Sequence, residues 1–333
     1  MRNLEPRFYV DPQLFERERA AIFSRAWNYA GPAAAVERPG SYASVDIAGA
    51  KVIAVRGADG TLRAFRNVCR HRGATLLPVG TGTCGTIRCP YHHWVFDDRG
   101  ALVAAPHFGD DPDFRLDDWP LEPAHVDQWR GLLFVALDPV ESLLDQLGGL
   151  PEQLADEPIE RYTATDTARV EFDANWKVYT DNFVEGYHIP GIHPAFFDAI
   201  DFRQFETTVH DNYIRMTAPP RPGLFYKGMW LWMWPNWTLS LFQGGINTSR
   251  INPLAVDRTE QLYDFWFEDA GDSAAEFRAG TVSSNVAVVH EDVGVCADIQ
   301  RNFAAGAYTP GPLSPRHEQA VAYYQGRVAA AVG

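Results

Sequence analysis

The sequence predicts an α+β protein in two parts, a small all-β domain followed by a larger one in which several strands precede a long helix. Three observations carry this. From Gly40 the apolar residues alternate with a period of two, between turn-forming pairs. The stretch LGGLPEQLADEPIE at 147–160 reads as a connector. Beyond it, strand-like segments between 205 and 268 give way to an unbroken helical pattern at 274–305.

The elements follow in order. Residues 11–29 read as a helix, with Leu14, Ala21, Ile22 and Trp27 apolar. Residues 42–47 and 51–55 read as strands, and Asp59-Gly60 marks a hairpin before 61–65. Asp98-Arg99-Gly100 makes another before 101–105, and 131–137 is a buried strand. In the second part come a strand at 167–172, a helix at 176–188, the later strands and the long helix. The expected division is an N-terminal helical segment at 1–39 packing on the second domain, a β domain at 40–150, and the second domain at 151–333.

A chain of 333 residues can bury a core without staples. Its formal net charge of −14 repels phosphate backbones and anionic lipid. Neither nucleic acid nor membrane is therefore an expected partner, whereas a protein with a basic face is compatible. The stretch MRNLEPRFYVDPQLF has no apolar signal region, and the longest apolar run, 132–137, is far too short to cross a bilayer. The expected location is cytoplasmic. Four cysteines in such a chain do not make a disulfide framework. Cys84 and Cys296 read as small buried hydrophobes, but Cys69 and Cys89 stand beside histidines.

That neighbourhood is the first candidate metal site: Cys69-x-His71, then Cys89-x-x-His92 with His93 adjacent. Two loops, each offering one thiolate and one imidazole, can hold two irons, thiolates on one and neutral imidazoles on the other. Cys₂His₂ also suits structural zinc, although zinc knuckles more often pair like ligands. The second candidate is DNFVEGYHIPGIHP at 181–194. On an unbroken helix His188 and His193 would point about 140° apart. Pro190-Gly191 breaks the helix between them, so His193 can swing back. An oxygen-activating iron wants two imidazoles, one carboxylate and open positions. The carboxylate candidates are Asp181, Glu185, Asp198 and the distant Asp292. Asp292 shares a helical stripe with Val288, Val289, Cys296, Ile299 and Phe303, where a carboxylate is costly unless paired or metal-bound. Glu291 points about 100° away from that stripe.

CRHRG followed by CPYHHW resembles the Rieske [2Fe–2S] motif, and NWK with DNFVEGYH and the second histidine resembles the mononuclear-iron motif of Rieske non-haem iron oxygenase large subunits, the terminal oxygenase components. The resemblance covers nearly the whole chain. It implies a Rieske domain followed by a helix-grip catalytic domain, an antiparallel sheet wrapped on the long helix. Cys69, His71, Cys89 and His92 are then the cluster ligands, and His93 falls where the family usually has glycine. His188, His193 and Asp292 would hold Fe(II), Asp292 being followed eight residues on by Gln300 as in the family's third-ligand pattern. Glu185 and Asn182 are implied catalytic residues. Glu185 stands where the family's bridging carboxylate lies, linking His188 to the neighbouring subunit's His92, and its being Glu resembles the members acting on quaternary ammonium compounds. The resemblance further implies O₂ as co-substrate, a homotrimer, and a separate NAD(P)H-dependent reductase with or without a ferredoxin. The chain itself has no dinucleotide-binding glycine motif after a strand.

The aromatic stretch 225–242 holds Trp230, Trp232 and Trp234 on one strand face, followed by Phe242. These read either as sheet core or as a substrate-pocket wall, and aromatic faces bind both flat rings and quaternary ammonium ions. The expected reaction is oxidation and N-demethylation of a quaternary or tertiary amine. The alternatives are an aromatic-ring hydroxylating mono- or dioxygenase, a Rieske electron carrier without oxygenase activity, and a zinc-stabilised binding module.

Overall fold

Alternating side chains from Ser41 to Arg66 form three consecutive strands in the computed structural model, which describes residues 1–222 and 226–333. The chain makes two units: Ser24–Leu143, and Met1–Phe23 joined with Leu144–Gly333. The second begins with helices α1 (Arg7–Val10) and α2 (Pro12–Glu18), the latter capped by the Asp11 carboxylate on the Gln13 amide at 2.8 Å. One π turn later, at Phe23, the helical segment stops. The helix expected over 11–29 is thus too long. Asn28–Pro32 is strand β1, because Gly31 takes a φ of 110° and Pro32 lacks the amide a helix would need.

The Ser24–Leu143 unit carries ten strands: β1, β2 (Ser41–Ile47), β3 (Ala50–Arg56), β4 (Leu62–Arg66), β5 (Gly80–Thr83), β6 (Ile87–Arg88), β7 (Val95–Phe96), β8 (Leu102–Ala104), β9 (Pro123–Trp129) and β10 (Leu132–Ala136). One sheet runs β1-β10-β9-β4-β3-β2-β5 and a small one β6-β7-β8. Because β1 pairs with the fully buried β10, this unit takes in residues that the sequence reading places in the 1–39 segment. The β3–β4 hairpin turns at Gly60, whose φ of 76° costs a residue without a Cβ little. Ile53, Phe65, Leu76, Ile87, Trp94 and Phe96 fill a core that also buries Cys69 and Cys89.

The other unit continues with short helices α3 (Leu143–Leu147) and α4 (Leu150–Gln153), strand β11 (Thr163–Phe172), α5 (Trp176–Phe183), α6 (Ile189–Ile192) and α7 (Pro194–Ala199). Strands β12 (Glu206–Val209), β13 (Tyr213–Thr217), β14 (Tyr226–Met233), β15 (Trp237–Phe242), β16 (Gly245–Ala255) and β17 (Arg258–Phe267) follow, then α8 (Ala275–Ala304) and α9 (Gln319–Val332). The sheet is antiparallel throughout, in the order β11-β17-β16-β15-β14-β13-β12. Helix α8 packs against β11, α5 and α1, which gives the sheet-on-long-helix arrangement. The sequence reading assigned nothing to α9, although Val321, Tyr324, Val328 and Val332 bury one face at helical spacing. Lys177 of α5 and Glu18 of α2 form an ion pair at 2.6 Å with neither side chain exposed, and Trp176 Nε1 donates to the same carboxylate at 2.8 Å. Among the described residues no helix is long and apolar enough to cross a membrane.

Candidate metal centres and active site

In the first unit two tight turns present the Cys/His pairs. The Cys69 carbonyl accepts from the Gly73 amide at 3.0 Å, and the Cys89 carbonyl from the His93 amide at 3.1 Å. Both thiols are buried, and the His71 and His92 rings lie 4.6 Å apart. His71 stacks on buried Trp94 at 4.8 Å, which fixes its ring, yet its buried Nδ1 has no hydrogen-bond partner. An orphaned buried imidazole nitrogen, on a loop that also buries a thiol, is what a metal cluster would satisfy. Burial pushes the Cys69 thiol up, a penalty that metal coordination removes by deprotonating it. Loss of hydration together with the nearby His71 holds His92 down, favouring the neutral imidazole that ligation requires. The donor set therefore fits a [2Fe–2S] cluster with two thiolates and two imidazoles. His93 is exposed and takes a φ of 59°, a left-handed conformation natural to glycine.

In the second unit α5 ends at Phe183, earlier than the expected 188, and the break comes before Glu185 rather than at Pro190-Gly191. Glu185 itself ends the run. Its carboxylate accepts from the Tyr187 and His188 amides, competing with the helical ladder. Its relation to His188 is thus a turn and not a shared helical face, and Oε1 lies 2.5 Å from His188 Nδ1. Gly186 allows this turn, since a Cβ there would run into the Phe205 ring. Helix α6 then carries the chain round to His193.

His188, His193 and Asp292 offer ligand atoms within 4.8 Å of one another. Asp292 Oδ1 stands 2.9 Å from His193 Nε2 and 3.7 Å from His188 Nε2. It is buried and no partner satisfies it with hydrogen-bond geometry. Two imidazoles and one carboxylate converging on a point, with the far ring nitrogens held by acids, suit ferrous iron. The acid on His193 is Glu291, whose Oε2 lies 2.7 Å from Nδ1. The sequence reading set Glu291 aside as pointing elsewhere; its side chain is long enough to reach His193 from the flank of α8. Asp198 is exposed. Asp181 turns away, its Oδ2 accepting from the Tyr9 hydroxyl at 2.6 Å. Gln300 joins the Asn175 amide, at the N-cap of α5, to the Tyr9 carbonyl.

A cavity of about 90 Å³ adjoins the triad, lined by Asn182, Phe196, Phe205, Tyr226 and Trp230 among others. Of the four aromatic residues assigned to the pocket, Trp230 alone lines it. Trp232 is buried against Tyr324 at 5.3 Å, the Arg327 guanidinium lies 4.3 Å over Trp234, and Phe242 packs on Phe267 at 5.2 Å. The three tryptophans do share a face, but Trp234 is about 13 Å along the strand from Trp230 at some 3.3 Å per residue. That face passes from the cavity onto α9. Phe225, at the head of the stretch, lies outside the described residues.

Known proteins agree with this architecture. Residues 26–120 match the Rieske [2Fe-2S] domain, and 159–225 with 216–333 match the ring hydroxylating alpha subunit catalytic domain. The chain belongs to the Rieske oxygenase alpha subunits. It is 30% identical to the carnitine monooxygenase oxygenase subunit of Escherichia coli K12, over 80% of this chain and 75% of that one. It is 26% identical to the chloroplastic choline monooxygenase of Amaranthus tricolor, over 91% and 72%. The crystal structure of the quaternary ammonium Rieske monooxygenase CntA with its substrate L-carnitine superposes with a TM-score of 0.87 at 28% identity, covering 100% of this chain and 96% of that one. Naphthalene 1,2-dioxygenase from Rhodococcus shares the fold at 22% identity, with a TM-score of 0.74. The protein is accordingly an oxidoreductase that incorporates oxygen, with a [2Fe–2S] Rieske domain and a mononuclear-iron catalytic domain. Reductase-fed electrons are the rule in this family. Neither an electron carrier nor a zinc-stabilised binding module accounts for the second domain.

Proposed function

We propose that the enzyme is a monooxygenase that hydroxylates a methyl group of a quaternary or tertiary amine, with loss of formaldehyde and N-demethylation. The observation that carries this is an aromatic box beside the triad. The Phe196 ring stands 5.1 Å from Tyr226 and 5.2 Å from Trp230, with Tyr226 and Trp230 6.1 Å apart. Such a box attracts an ammonium through its ring faces. Among the described lining residues there is no lysine or arginine, so the wall repels no cation. The resemblance to enzymes of carnitine, choline and glycine betaine points the same way.

In this reading Cys69, His71, Cys89 and His92 hold the cluster, within the segment 40–150, and His188, His193 and Asp292 hold the iron, within 151–333. The bound iron supplies O₂ activation with electrons received through the cluster. Glu185 and Glu291 accept the Nδ1 protons of His188 and His193, which fixes each Nε2 lone pair toward the shared point. Asn182 lines the cavity beside them. Glu185 also forms the bridge to the neighbouring subunit's His92 in a homotrimer, fed by an NAD(P)H-dependent reductase with or without a ferredoxin, in the cytoplasm. The test is incubation with a reductase, O₂, trimethylammonium compounds and aromatic acids. Formaldehyde released in step with O₂ use from an amine is the expected result. A hydroxylated ring, with every amine giving only peroxide, would replace this proposal with the aromatic-hydroxylase alternative.

A further inference from the structure

Behind the catalytic site lies a second cavity of about 340 Å³, and the two share a wall made of Asn182, Glu185 and His188. Asp181 lines the second cavity only. Its Oδ2 accepts from Tyr9 at 2.6 Å, whereas Oδ1 is buried from solvent and has no partner. Around it stand one cation and two further carboxylates. Lys177 on α5 is already paired with Glu18 of α2, and Glu318, just ahead of α9, lines the same cavity. Glu185, His188 and Tyr308 also line this cavity, Cys296 of α8 and Tyr324 of α9 are further titratable neighbours, and the Gln325 amide donates to the Tyr9 hydroxyl. Tyr9, Gln325 and Lys177 favour a charged Asp181, but Lys177 is already paired with Glu18 and the loss of hydration outweighs all three, so the cluster favours one extra proton.

From this geometry we infer that Asp181 is a proton-holding residue, which releases its proton through water in the second cavity toward the oxygenation site. The inference rests on the reading of that site as an oxygenase. Inserting one oxygen atom into a C–H bond and reducing the other to water consumes two electrons, from the reductase, and two protons. One of these comes from the Asp181 carboxyl: the group turns toward the cavity, its O–H bond breaks, a cavity water takes the proton, and that water passes one on across the shared wall. Tyr9 and Lys177 then hold the carboxylate until solvent returns a proton. Burial pushes the Asp181 pKa up to about 7, in the range suited to such a role.

Infrared difference spectra of the metal-free and iron-loaded protein test the proton directly. The expected result is a protonated-carboxyl band that titrates near neutrality, is absent in Asp181→Asn, and shifts to higher pH in Tyr9→Phe, which loses a hydrogen bond to the charged form. Asp181→Asn should keep its iron and its substrate affinity but form product about tenfold more slowly or worse, with a larger solvent deuterium effect. No such band in the wild type, or an Asp181→Asn enzyme with unchanged rate and isotope effect, would overturn the inference. Failure of the amine reading would instead show as a wild type that releases no formaldehyde, leaving the infrared titration untouched.

Discussion

His93 shows how a single residue registers the demands of the site. It stands in left-handed backbone next to a proposed cluster ligand, where a Cβ costs about 1–2 kcal/mol. Against this, glycine would lose more freedom on folding. His93→Gly should therefore stabilise the protein by about 0.5–1 kcal/mol, read as the shift in denaturant midpoint with the cluster in place. Glu291 works at the same scale. With His193 Nδ1 left unpaired, Glu291→Ala should weaken iron binding about 10–100-fold in a metal titration. An unchanged affinity would show that Glu291 merely covers the histidine. The proposed metal donors were legible in the sequence because residue type and spacing are themselves the chemistry of Cys69-x-His71, Cys89-x-x-His92 and the His188/His193 pair. Glu291 was not, because helical position gives the direction of a Cβ and not the reach of a long side chain. Nor were Phe196, Phe205 and Tyr226, which come from α7, from the loop before β12 and from β14, and meet only after folding.

At the scale of elements, α5 is held from both ends. Asn175 caps its start, Glu185 follows its end, and Lys177 and Trp176 anchor it to Glu18 of α2. Removing one member of such a buried pair strands a charge without water. Lys177→Met should thus cost about 3–5 kcal/mol of unfolding free energy, with most of it regained in the Glu18→Leu/Lys177→Met double variant. A double variant as weak as the single would show that the lysine acts through packing. Asp181, one turn further along α5, adds a pH term. Burial pushes its folded pKa up to about 7, above the usual carboxylate range, so the folded state binds the proton more tightly. This stability is present in acid below about pH 4 and is lost as the pH rises through about 7. Asp181→Asn should flatten that part of the stability profile. The end of α5 was misread from sequence for a related reason. Helical periodicity runs on past Phe183, whereas a carboxylate that caps two amides overrides it.

At the scale of the whole molecule, the proposed route runs from a cluster in one subunit to an iron in the next. A head-to-tail ring makes this testable without knowing any distance. A His92→Ala chain would lack a competent cluster and an Asp292→Ala chain a competent iron, so each alone should be inactive. Co-assembled in equal amounts, half the chains keep their iron, and half of those receive a neighbour with a working cluster. Activity should then return to about a quarter of the wild-type level per chain if heterologous contacts close the ring. Transfer confined to one chain predicts no recovery, because every chain lacks one centre. The net charge of −14 adds a second reading of the same mixture. If the reductase docks by charge, raising the salt should slow reduction of the cluster while leaving the subunit-to-subunit ratio unchanged, since screening acts on encounter and not on a contact already made. Recovery that vanished in parallel with salt-dependent dissociation of the ring would place the electron path in the assembly; recovery that survived in isolated chains would place it elsewhere.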